Sequence, residues 1–87
     1  MTESMNAPLI YADFNNADGH GCLRLNCAGT TVDLFREGIE LREGLPLVLH
    51  DEELEADGTA HFSAEERLWV AIIDWQKVRR FSRGSAS

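Results

Sequence analysis

The residues of this chain whose types and spacing could do chemistry are three histidines, two cysteines and a dense run of carboxylates. His20-x-Cys22-x4-Cys27 brings an imidazole and two thiols close together, a donor set that zinc takes. The alternation around them argues against a metal, because a strand with a period of two sends Cys22 and Cys27 to opposite faces. His50 and His61 would have to arrive from other strands. The residues therefore predict no metal site, with Cys27 a small core hydrophobe and Cys22 a surface thiol. Asp51, Glu52, Glu53, Glu55 and Asp57 offer oxygen ligands, but without the glycine and closing-glutamate spacing of an EF-hand loop. A solvated acidic edge that discourages pairing between molecules is the better reading. Ser63, Cys22, Thr30-Thr31 and the histidines form neither a nucleophile elbow nor a Cys-His signature, and there is no glycine-rich phosphate loop. The expectation is a protein that is not an enzyme and uses no cofactor.

Charge narrows the partners. The net charge is −7 over 87 residues, which opposes sequence-independent binding of phosphates. Its distribution is uneven: residues 1–66 hold three Arg/Lys against fourteen Asp/Glu, and residues 67–87 hold five against one. Lys77, Arg79, Arg80 and Arg83, with Trp75 and Phe81 nearby, make a basic segment on an acidic body. Such a segment folds back on the acidic body or suits an acidic protein partner, and in the alternative it meets phosphates with aromatics stacking on bases. The N-terminus is polar and acidic, without the pattern of a secretory signal, and no run has the length of a membrane span. A cytoplasmic protein with reduced thiols is expected.

These side chains need elements to position them. Residues 1–7 read as a disordered N-terminus, 8–81 as one small domain, and 82–87, rich in Ser and Gly, as a disordered tail. Residues 9–14 suit a strand, and the Asn15-Asn16-Ala17-Asp18-Gly19 cluster predicts a turn into an antiparallel return. In the return, residues 20–28, Leu23, Leu25 and Cys27 alternate with His20, Cys22, Arg24 and Asn26. Thr31 is the predicted N-cap of a short helical turn over residues 31–37, closed by Gly38, with Val32 and Phe35 packed on the sheet. Pro46 marks a strand start or an edge, and Gly58 a bulge or turn between residues 54–57 and 59–62.

The last hydrophobic run, residues 68–75, is apolar on both faces. Trp69, Ala71, Ile73 and Trp75 are predicted to point inward with Leu23, Leu25 and Phe62. The opposite face, with Val70 and Ile72, must be covered by the helix, by the C-terminal segment or by a partner. Val70, Ile72, Lys77, Arg79 and Arg80 are accordingly the candidate binding residues. They would serve an interaction module that binds a protein partner or forms a homodimer. The alternative is a nucleic-acid or ribosome-associated accessory domain that uses the basic tail.

Five short strands joined by hairpin-like turns suggest a mainly β fold, a small five-stranded antiparallel barrel with one helical turn. The phrase Gly38-x-x-Leu41-x-x-Gly44-x-x-Leu47-x-Leu49 is similar to the loop-then-strand signature of SH3-like barrels. The acidic turn and the W-V-A-I-I-D-W hairpin strand also resemble small bacterial proteins of about this length. The resemblance implies an SH3-like β-barrel and brings no catalytic residue with it.

Overall fold

A computed structural model describes residues 7–80. The longest strand, β4 (Leu54–Ser63), is the axis of the sheet. On one side it pairs antiparallel with β3 (Pro46–His50), which Pro46 opens. On the other it pairs with β5 (Leu68–Ile73) and, after a 3-10 turn at Trp75–Lys77, with β6 (Arg79–Arg80). Outside these lie β1 (Leu9–Tyr11) beside β3 and β2 (Leu23–Arg24) beside β5, giving the order β1-β3-β4-β5-β2. The result is mainly β, a curled half-barrel with one helix, α1 (Ala28–Glu37). Past β1 the chain crosses toward β2, where the Arg24 N–H donates to the Asn16 carbonyl and Ala17 bridges Leu23.

Two local departures from the sequence reading matter for function. First, β1 and β3 run parallel, with Leu9 opposite Val48. The turn after β1 delivers the chain to β2 across the sheet, so β3 is reached by a long crossover through α1 and not by a hairpin. Second, the predicted strand over residues 20–28 shrinks to Leu23–Arg24. Asp18 Oδ1 accepts the N–H groups of both His20 and Cys22, which converts the start of that segment into a turn. Gly58 is neither bulge nor turn, since it pairs regularly with Leu47 and with Ile73.

The inner face of the curl carries Ile10, Leu23, Leu47, Leu49, Ala56, Ala60 and Ala71, all buried. Trp69 and Ile73 pack against this cluster, as their alternation predicts, and Phe62 meets Trp69 edge-on at 5.4 Å. Trp75 does not join them. Asp74 ends the strand by capping the 3-10 turn through the Gln76 N–H, and the Trp75 indole N–H reaches the Gly21 carbonyl at 2.6 Å.

Helix α1 docks along the β1 edge of the sheet and sets Leu34 against the core cluster. It begins at Ala28, with Cys27 as N-cap in place of Thr31, and ends at Gly38, whose φ of 66° fits the left-handed cap that the sequence predicts. Thr30 is its buried residue. The Thr30 hydroxyl donates to the Tyr11 carbonyl at 2.6 Å, and Asp33 Oδ2 accepts the Tyr11 N–H at 2.8 Å. These are the backbone groups of β1 that face away from β3, so two helix side chains close the edge at Tyr11. Because Thr30 has spent its one proton, the Cys27 thiol is the donor in the 3.0 Å contact between the two side chains. Gly29 permits the approach: a Cβ there would lie 2.6 Å from the Tyr11 ring.

This docking reverses the predicted orientation of the helix. Val32 and Phe35, expected on the sheet, are 51% and 89% exposed. The docking side of the helix carries Thr30 and Asp33, which meet the edge groups of Tyr11, and Leu34, which packs against the core cluster, while Val32 and Phe35 turn to solvent.

Candidate functional site

Of the predicted binding residues, Ile72, Lys77, Arg79 and Arg80 are exposed and Val70 is not. Val70 is 1% exposed although it lies outside the inner core cluster, and this burial removes it from any docking patch. Its register neighbours on the outer face are Arg24 on β2 and His61 on β4. Arg24 is fixed by a two-pronged pair with Glu66, at 2.7 and 2.9 Å, from the β4–β5 turn. His61 Nδ1 lies 2.6 Å from Glu43 Oε2. Among the described residues, those that flank Val70 on that face are thus two polar side chains tied down by carboxylates. Ile72, further along, is 46% exposed.

The basic segment is partly spent within the molecule. Arg79 bonds Glu55 at 2.7 Å and Asp57 at 3.2 Å, which raises its pKa and uses two carboxylates of the acidic run. Lys77 lies exposed in the 3-10 turn, and Arg80 is exposed on β6 opposite Leu54. Phe81 and Arg83 lie outside the described residues.

A cavity of about 380 Å³ sits beside this face, lined by Asp18, His20, Cys22, His61, Ser63 and Ile72 among others. It gathers candidate chemical groups but gives Asp18, His20, His61 and Ser63 other partners. His20 Nε2 is 3.2 Å from Glu65, and the Ser63 hydroxyl accepts the Glu66 N–H. Burial, and then the charge of Asp18, pushes the Cys22 thiol above its ordinary pKa, which favours the unreactive protonated form. Among the described residues no three His, Cys, Asp or Glu side chains converge as a metal site would need. None of their helices is long and apolar enough to cross a membrane.

The larger cavity, about 650 Å³, is the groove between α1 and the β1–β3 edge, lined by Leu9, Tyr11, Val32, Asp33, Arg36 and Glu37 among others. Leu9 is 47% exposed, and Val32 rises beside it. Ala28, Val32 and Phe35, all exposed, follow one another at i, i+4 and i+7 along the solvent side of the helix. Tyr11 stands edge-on to His50 at 5.8 Å on the groove wall. Burial raises its phenol above the ordinary pKa, and the charges of Glu52, Asp13 and Asp51 add to the shift. The groove therefore joins an apolar ridge to a negative wall.

Sequence reasoning passed over this site because it assigned the Val32–Phe35 stripe to the core. A signal was present in Gly29-Thr30, a small pair at the spacing that lets a helix approach a strand edge closely. Comparison with known proteins finds no matching family model, no matching curated protein and no matching solved structure.

Proposed function

We propose that the protein is a non-catalytic interaction module that binds a protein partner through the solvent face of α1 and the adjoining groove to β1. The observation that carries this reading is Phe35, an aromatic side chain left 89% exposed in the last turn of a ten-residue helix that Gly38 closes. An unpartnered aromatic costs solubility and contributes nothing to this fold, and aromatic anchors are over-represented where partners dock. Val32 and Leu9 extend the apolar surface around it. The carboxylates and histidines of the smaller cavity are engaged in structural bonds, which favours binding over catalysis. The expectation of docking through β5 and the basic segment gives way to α1, because Val70 is buried and Arg79 is paired.

The test is capture from lysate by the full chain and by Phe35→Ser, both checked for unchanged melting temperature and both treated with nuclease. Loss of specific captured proteins with Phe35→Ser is expected. Identical capture by both chains refutes the assignment, and capture abolished by nuclease transfers the function to nucleic-acid association.

A further inference from the structure

We infer that the partner segment is a cationic amphipathic helix, its apolar side on Ala28, Val32 and Phe35 and its Lys or Arg residues against the acidic wall of the groove. This inference rests on the interaction reading above and adds the chemistry of the partner. The shape of the surface favours a helix: an i, i+4, i+7 ridge beside a groove is what a second helix packs against. An added strand is disfavoured, because the Tyr11 N–H and carbonyl are already taken by Asp33 and Thr30.

Charge decides between occupants. Asp33 and Glu37 line the groove with one guanidinium, Arg36, which is itself paired with Asp33 at 3.2 Å, and beyond the liners Asp13, Asp51 and Glu52 act by charge on the Tyr11 phenol. A second copy of this chain would bring the same acidic group onto itself, within a molecule of net charge −7. An anionic lipid surface meets the same repulsion. A cationic segment gains from both the charge and the apolar ridge, and its association should be fast and sensitive to salt.

The probe is a labelled synthetic helix of about 18 residues with Leu at i, i+4 and i+7 and Lys on the flanks, titrated by anisotropy beside a twin with Glu in place of Lys. The Lys peptide should bind the wild-type chain and the Glu twin should not. Phe35→Ser and Glu37→Lys should each weaken binding roughly tenfold. Glu65→Lys, an equal charge reversal beside the smaller cavity, should change it far less. Equal loss with Glu65→Lys reduces the attraction to net charge and overturns the inference, as does indifference to Phe35. A wild-type dimer dissociated by Phe35→Ser gives the face to a second copy, and Phe35-dependent binding to vesicles rich in anionic lipid gives it to a membrane. Both results overturn the inference. If Phe35→Ser strips native partners while the Lys peptide does not bind, the interaction reading stands and the cationic partner falls.

Discussion

Gly29→Ala sets two opposed effects against each other and so tests how α1 is held. In a helix interior the exchange of Gly for Ala is worth up to about 1 kcal/mol. Gly29 lies in the first turn, where that gain is smaller. Against it stands the Tyr11 ring: the new Cβ would fall 2.6 Å from Cδ2, 3.1 Å from Cγ and 3.2 Å from Cε2. These atoms include the root of the ring, so relief requires moving Tyr11 bodily, together with the backbone groups bonded to Thr30 and Asp33. Overpacking of this kind costs roughly 1–3 kcal/mol, which outweighs the propensity gain. The expected net loss is about 1–2 kcal/mol, or roughly 5–15 °C in melting temperature for a domain of this size. Thermal melts and urea titrations followed by far-UV circular dichroism measure it. The same substitution in a Tyr11→Ala background should be neutral or stabilising, because the clash is then gone. A stabilised Gly29→Ala in the wild-type background would refute helix docking against Tyr11.

Three further outcomes follow from the same contacts. Thr30→Val keeps the shape but leaves the Tyr11 carbonyl without its hydroxyl donor, so urea titration should show a loss of about 1–3 kcal/mol. Val70→Glu places a charge at a site 1% exposed, and circular dichroism should find the chain largely unfolded at neutral pH. A folded Val70→Glu of unchanged melting temperature would contradict the burial of Val70. Acid should also weaken the fold. The Asp18 carboxyl is held below its ordinary pKa by the Cys22 and His20 N–H groups, Glu43 by His61 and the Phe62 N–H, and Glu66 by Arg24. A lowered folded-state value means stability that is fully present above the ordinary carboxylate range and is lost as pH falls through the folded values. Urea midpoints measured from neutral pH down to about pH 3 should fall across and below that range, and Glu43→Gln should flatten the slope.

The chain's acidity has a structural meaning that its composition alone conceals. Asp13, Asp18, Asp33, Glu43, Asp51 and Asp74 each accept at least one backbone N–H, in turns, at the edge of β1, at Phe62 on β4 or at the 3-10 cap. Glu55, Asp57 and Glu66 hold arginines across strands. A small sheet with short strands leaves many backbone donors unpaired, and carboxylates satisfy them while keeping edges unattractive to other chains.

Alternation made much of this fold legible. A period of two places Leu23 and Ala71 in the core, the missing donor of Pro46 puts it at a strand start, and Gly38 marks the helix stop. Less legible were features set by contacts distant in sequence. The parallel β1–β3 pair depends on where the turn at Asp18 sends the chain, which Asp18's side-chain bonds decide. The orientation of α1 depends on the β1 edge: hydrophobicity favoured Val32 and Phe35, whereas the docked side brings Thr30 and Asp33 to the backbone of Tyr11 and Leu34 to the core cluster. Val70 is buried with Arg24 and His61 opposite it in register, polar residues whose partners, Glu66 and Glu43, lie well away from them in sequence.

The most direct test of the account is a map of where a cationic amphipathic helix touches the folded chain, read from backbone amide shifts during titration with the Lys peptide. The account predicts that the largest shifts cluster at residues 9–11, along Ala28–Glu37 and at Asp51 and Glu52. Shifts concentrated instead on Ile72, Lys77 and Arg80, with α1 unmoved, would contradict it.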